Sequence, residues 1–354
     1  ATDYTAFLKQ CDEALNAGLS KKNHQYVASL TGWAYNRRAE KRLELVQRLQ
    51  QIGNSRFKEV FGEAMADFGN AVINGPERYR SWMARGVAHV NNGNYDLGIK
   101  DFTQVIKLKP DEANAWFNRA EALYQRSRLG CGAQPIIVLS NDTNQANQAN
   151  QKDKNQTLSD EVRAIGFKQA IRDYDTVLRF DSADKEALTG RGHTNYALGN
   201  VELALADYEK VVEMTSKNPA SSVMALINRG DALQRLGRWE AAESDYQAAI
   251  EKSTSPIAMQ RMAWFQSTCP VKKHRNPQSA KQLIANAIAA AGETAKNLDT
   301  QAAVEAALGN FEVAKTTQAK VIGLASAELT VDPEEAEARL AMYEEGKPFE
   351  QTGK

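Results

Sequence analysis

Residues able to carry covalent or acid–base chemistry are sparse in this 354-residue chain: four histidines and three cysteines. Cys269 and His274 stand five positions apart beside Pro270. A thiol and an imidazole are the types of a nucleophile and its base, but the proline places these two at a turn, where a structural role is the expectation. His24, His89 and His193 fall in other segments of the chain, and His89 reads as a packing residue. No glycine-rich phosphate loop, metal-ligand spacing or nucleophile motif joins any of these groups. The sequence therefore predicts no enzyme, no catalytic residue, no metal and no cofactor. Cys11, Cys131 and Cys269 are too few and too scattered for a disulfide framework or a closed zinc site. They read as small buried apolar residues, with a Cys11–Cys131 bridge left open for an exported protein.

Charge narrows the partners. Lysine plus arginine and aspartate plus glutamate are equal at 44 each, so the chain lacks the basic field that nucleic acid or an anionic membrane demands. No run of about 18 apolar residues exists, which excludes a membrane-spanning helix. The first residues, Ala1-Thr2-Asp3, suit an end left by a signal peptidase and equally a trimmed end.

The elements that would carry a binding surface announce themselves by repetition. Gly86, Ala120, Gly192 and Gly230 recur at one point of a period of about 34 residues. Phe102, Tyr174, Tyr208 and Tyr246 recur at a second point, Gly98, Ala170, Ala204 and Ala242 at a third, and Val105, Val177, Val211 and Ala249 follow three places after the aromatics. Small residues let two helices approach closely, and the aromatic fills the gap toward the next pair. Gly93, Gly199 and Gly237 end the first helices, where a left-handed backbone costs little.

On these positions the chain resembles the tetratricopeptide-repeat family over nearly its whole length. The resemblance implies an all-α fold, a right-handed superhelical solenoid of antiparallel helix hairpins. Its expected divisions are an N-terminal capping helix in 1–24 and a divergent repeat with a long first helix in 25–78. Four repeats follow in 79–256, then divergent hairpins in 257–330 and a capping helix and tail in 331–354. The ending is similar to that of a bacterial group with Asn-Arg-Gly repeats whose members are commonly exported. That likeness implies a periplasmic or secreted protein, with a cytoplasmic one as the alternative.

Two departures stand out. Arg85, Arg119, Arg191 and Arg229 occupy a position that is usually leucine, and Asp101, Asp173, Asp207 and Asp245 precede the second-helix aromatics, as Asp67 precedes Phe68. Fixed spacing of both signs predicts a ladder of structural ion pairs rather than a basic stripe. The second departure is an Asn/Gln-rich insertion at about 129–164, holding the apolar run Ile136–Leu139 and Asn-x-Thr triplets at Asn141 and Asn155. It is expected to be disordered alone or held against the array or a partner.

In the family the first helices line the concave surface. Helical phase then assigns the groove to Asn114, Phe117, Glu121 and Tyr124, then His193 and Tyr196, then Asp231 and Gln234. Aromatics and amides with few cations predict a non-catalytic scaffold that binds a peptide or protein segment there. The alternative is a structural subunit of an envelope or extracellular assembly, docking through its ends and the insertion. Homo- or hetero-oligomerisation stays open.

Overall fold

The computed structural model describes residues 4–130, 160–328 and 330–351, and these hold sixteen α-helices, one 3-10 turn and no strand. In chain order the helices are α1 (Tyr4–Asn16), α2 (Lys21–Gln51), α3 (Phe57–Asn74), α4 (Tyr79–Asn91), α5 (Tyr95–Leu108) and α6 (Ala113–Leu129). They continue with α7 (Asp160–Phe180), α8 (Lys185–Ala197), α9 (Val201–Thr215), α10 (Pro219–Arg235) and α11 (Trp239–Lys252). The last are α12 (Pro256–Thr268), α13 (Pro277–Ala291), α14 (Ala295–Ala307), α15 (Phe311–Glu328) and α16 (Pro333–Glu344). The chain forms two compact units, Ala1–Gly190 and Arg191–Lys354, with the division inside α8. Each unit is a stack of helix hairpins, and the fold class is an all-α solenoid of such hairpins.

Close approach inside a hairpin has a specific cause. A methyl group placed on Gly86 would stand 2.7 Å from the Phe102 ring, on Gly192 2.5 Å from Tyr208, and on Gly230 2.7 Å from Tyr246. These rings are almost wholly buried, so each aromatic of a second helix occupies the space a side chain on the first would need. Burying such a ring stabilises by roughly 1.5–3 kcal/mol, more than the roughly 0.5–1 kcal/mol a mid-helix glycine costs. In the hairpin carrying the insertion, Ala120 and Tyr174 share one buried cluster, and Tyr174 also abuts Gly190. The turns use glycine for its other property. Gly93, Gly199, Gly237 and Gly309 have φ between +70° and +83°. After Gly93 the Asn94 N–H returns to the His89 carbonyl at 2.8 Å, satisfying a helix-end acceptor.

The recurring charges meet within hairpins. The guanidinium of Arg85 grips Asp101 with two bonds of 2.8 and 2.6 Å, Arg191 grips Asp207 at 2.9 and 2.6 Å, and Arg229 grips Asp245 at 2.7 and 2.6 Å. Each of these pairs spans 16 residues of sequence, whereas Arg119 and Asp173, at 2.7 and 2.8 Å, are 54 apart because the insertion lies between them. Arg38 holds Asp67 in the same way at 2.8 and 2.7 Å. Burial pushes the Asp101 and Asp173 carboxyls above the usual carboxylate range even though their arginines pull the other way. Desolvation outweighs attraction there, so the pairs contribute geometry more than net stability. His89, beside Arg85, is pulled down to about 4, by burial first and then by that guanidinium, and stays neutral at physiological pH.

The hairpin interrupted by the insertion closes on itself. Gly130 ends α6 at φ +68°, and Arg163 on α7 donates to the Ser127 carbonyl at 2.9 Å. The run at 136–139, both Asn-x-Thr triplets and Cys131 lie outside the described residues, so the Cys11–Cys131 pairing does too. Cys11 and Cys269 are buried. No described helix is long and apolar enough to cross a membrane.

Two outcomes follow for thermal melts. Gly230→Ala is expected to lose about 1–3 kcal/mol by overpacking against Tyr246, while Gly69→Ala, a helical site with open space around it, gains about 0.5–1 kcal/mol. Asp207→Ala, which removes the carboxylate that Arg191 grips, is expected to cost roughly 2 kcal/mol or more, and Glu209→Ala, exposed on the same helix, under about 0.5 kcal/mol. Equal melting curves for Asp207→Ala and Glu209→Ala would remove the structural reading of the pairs.

Candidate functional site

The residues assigned to a groove fall into two sets, one in each unit. In the first unit Asn114, Phe117, Glu121 and Tyr124 share a face of α6, and three of them are engaged with α7. Phe117 meets the edge of Tyr174 at 6.0 Å, Tyr124 packs on Phe167 at 5.9 Å, and Glu121 accepts the Tyr174 hydroxyl proton. Asn114 donates to Glu112 at 3.3 Å. This face is largely spent on its own hairpin. A hollow of about 480 Å³ between α2 and α4 offers little more, since Arg37 in its wall is paired with Glu40 at 2.8 Å.

In the second unit Tyr196, Asp231 and Gln234 come together in one cavity of about 630 Å³. His193 stays apart, its ring 5.8 Å from Tyr208. The walls are first helices: α8 gives Tyr196, α10 gives Asp231, Gln234 and Arg235, α12 gives Arg261 and Trp264, and α14 gives Lys296. The closing helix α16 adds Glu335, Arg339 and Met342, and the segment after it adds Phe349 and Gln351.

A lining with few cations is the sequence expectation, and this cavity corrects it: Arg235, Arg261, Lys296 and Arg339 face only Asp231 and Glu335. Most of the additional charge comes from α12, α14 and α16, where the repeat spacing has loosened and alignment gives no phase. One signal was present, since Arg261 and Trp264 are three apart and therefore share a helix face.

The charges are unequally satisfied. Arg261 donates to Asp231 at 3.0 Å, and Asp231 also accepts the Tyr246 hydroxyl proton at 2.8 Å. Asp231 accordingly raises Arg261 above the usual arginine range, and burial followed by Asp231 drives Tyr246 well above the usual tyrosine range. Arg339 is held by Asp299 at 2.9 and 3.1 Å behind the cavity wall. Arg235 lies 4.9 Å over the Tyr196 ring. Lys296 sits 5.9 Å from the centre of the Trp264 ring. Among the described residues neither Arg235 nor Lys296 has a carboxylate within ion-pair distance. Burial first, then the Arg261 charge, pulls the Lys296 ammonium below the usual lysine range, and Asp299 and Asp231 offset only part of that.

Elsewhere the reactive types are bound into structure. His274 is buried with Nδ1 2.6 Å from Glu243, and burial raises the Cys269 thiol. No group of three or more metal-ligating side chains is assembled among the described residues.

Comparison with known proteins fits this architecture. The tetratricopeptide-repeat family model matches residues 83–130 and 159–219. The match covers two stretches, together less than half of the chain. A tetratricopeptide-repeat protein from Parabacteroides merdae is similar in structure, with a TM-score of 0.58 and 15% identity over 87% of this chain and 99% of that one. PilF of Pseudomonas aeruginosa gives 0.48 and 14% over 74% and 98%, and YrrB, described as having an unusual peptide-binding site, gives 0.42 and 14% over 66% and 97%. At these identities the likeness concerns the fold alone. No curated protein matches the chain.

The unpaired lysine has a measurable cost. Its native pKa lies below its unfolded value, so at neutral pH the folded state holds a charge it disfavours; the penalty is complete below the native pKa and fades as pH rises toward the unfolded one. Lys296→Met is therefore expected to raise the melting temperature at pH 7 by about 2–4 °C. The gain should shrink as the pH becomes alkaline. A melting temperature lowered at pH 7 would show that Lys296 is already satisfied within the fold.

Proposed function

We propose that this protein is a non-catalytic interaction module and that the cavity of its second unit binds a peptide segment carrying a carboxylate. Tetratricopeptide repeats serve protein–protein interaction in general, which supports the first half of the reading. Lys296 carries the second half. A cation whose burial outweighs the pull of Asp299 and Asp231 weakens the fold, and the same ammonium, with Arg235 in the same wall, suits an incoming carboxylate. Tyr196, Trp264 and Met342 supply the apolar and aromatic surface that gives a peptide its anchoring energy. Asp231, committed to Arg261 and Tyr246, holds the wall rigid rather than repelling the ligand.

The reading is tested by selecting random dodecapeptides on the full chain and measuring the enriched ones by fluorescence anisotropy. Enriched peptides are expected to contain Asp or Glu and to lose at least about tenfold in affinity on Lys296→Met, equivalent to about 1.4 kcal/mol, and less on Arg235→Met. Tyr124→Ala, in the first unit, should leave them unchanged. Peptides indifferent to both cation replacements would place recognition elsewhere, and failure to enrich any peptide would end the proposal.

A further inference from the structure

The segment that follows α16 folds back on the second unit and forms part of the cavity wall. After α16 the chain turns at Gly346, whose φ is +67°, with the Lys347 N–H returning to the Met342 carbonyl at 2.9 Å. Residues 347–351 then run without regular structure back onto α10 and α12. Phe349 lies 5.7 Å from the Trp264 ring at a 42° tilt, with the Arg339 guanidinium 5.6 Å from its own ring. Glu350 pairs with Arg275 at 2.6 Å. The Gln351 side-chain oxygen accepts from Trp264 Nε1 at 3.0 Å and from the Gln234 amide.

One contact belongs to the backbone and explains why a strand-like segment fits here. Thr268 is the last residue of α12, and a helix end leaves its final carbonyls without intrahelical partners. The Asn276 N–H takes the Gln266 carbonyl at 3.0 Å, Arg275 Nε takes that of Cys269 at 2.5 Å, and the Gln351 N–H takes that of Thr268 at 2.8 Å. The tail thus satisfies an acceptor at the end of α12 by a main-chain bond that any extended peptide could make. Its side chains supply an aromatic ring, a carboxylate and an amide, in that order.

Building on the reading above, we infer that this groove is a receptor for an extended segment in which an aromatic residue is followed by an acidic one and then an amide. We further infer that residues 346–351 are its resident occupant in the free protein. A partner of this chemistry displaces the tail by replacing Phe349 on Trp264 and Glu350 on Arg275. Its remaining carboxylates reach Lys296, with which no described tail residue pairs. Binding in trans and docking of the tail are then mutually exclusive, and affinity for a partner is lowered by the fraction of molecules in which the tail is seated.

The test uses the full chain and a fluorescein-labelled, end-capped peptide with the sequence of residues 345–351. The probe is expected to bind Phe349→Ala at least about tenfold more tightly than the wild type, and a scrambled probe to bind neither. Adding Trp264→Ala to Phe349→Ala should abolish binding. Glu350→Lys, at an exposed position where folding is not at stake, should release the tail by charge repulsion from Arg275 and raise probe affinity about threefold or more. Equal affinity for wild type and both tail variants, equal binding of the scrambled probe, or binding that survives Trp264→Ala would each overturn the inference. If Lys296-dependent peptides still bind while tail variants change nothing, only the tail's occupancy falls. If no peptide binds at all, the groove reading falls with it.

Discussion

Three of the regular hairpins depend on a side chain that is missing. Where Gly86, Gly192 and Gly230 face Phe102, Tyr208 and Tyr246, the ring of the second helix stands where a β-carbon of the first would be. The helices can pack at that distance only while the position stays empty, and the ring is buried only while they do. Because the two conditions require each other, a hairpin forms as a unit. The apolar faces left on its outside must then be covered by the next hairpin. The arginine–aspartate pairs lie one residue away on both helices, as Arg85 beside Gly86 and Asp101 beside Phe102. A bidentate bond tolerates little sliding, so the pair fixes the register at the point where the ring requires it.

The insertion measures how robust this arrangement is. Arg119 meets Asp173 with the same two bonds as the uninterrupted pairs, although 54 residues rather than 16 separate them. Loop-closure entropy grows only slowly with length, and the contacts beside Ala120, Tyr174 and Arg163 are those of a closed hairpin. A long insertion at this turn is thermodynamically mild because the contacts defining the hairpin lie along the helices rather than at their junction.

The repeats were legible because recurrence is itself evidence. Four small residues, four aromatics and four charge pairs at constant offsets could be aligned against one another, and any one of them alone would have meant little. The cavity had no such aid. Tyr196, Asp231 and Gln234 were reachable by helical phase within the regular repeats. Arg261, Lys296 and Arg339 come from three helices whose spacing no longer follows the period, and only the fold brings them to one wall. Phe349 and Gln351 were beyond reach for a different reason: their place is decided by tertiary contacts with Trp264 and the end of α12, and neither helical period nor turn chemistry encodes it.

The divergence of the later hairpins and the presence of a site there have a common cause. In the regular hairpins Arg85, Arg119, Arg191 and Arg229 each have an aspartate, and the first-helix face of α6 is consumed by Tyr174 and Phe167. A fully satisfied surface offers nothing to a ligand. At α12 the pattern breaks: the helix stops at Cys269 and Pro270, its terminal carbonyls need outside donors, and Lys296 on the next first helix is desolvated without a carboxylate of its own. The Thr268 carbonyl takes its donor from the tail rather than from the helices, and Lys296 has no ion pair among the described residues, two needs that a peptide's N–H groups and an acidic side chain would meet together. The tail answers the first need through Gln351 and leaves the second open. The segment the protein supplies for itself is therefore an incomplete match to its own groove, and a ligand able to supply the missing carboxylate has a basis for binding in preference to it.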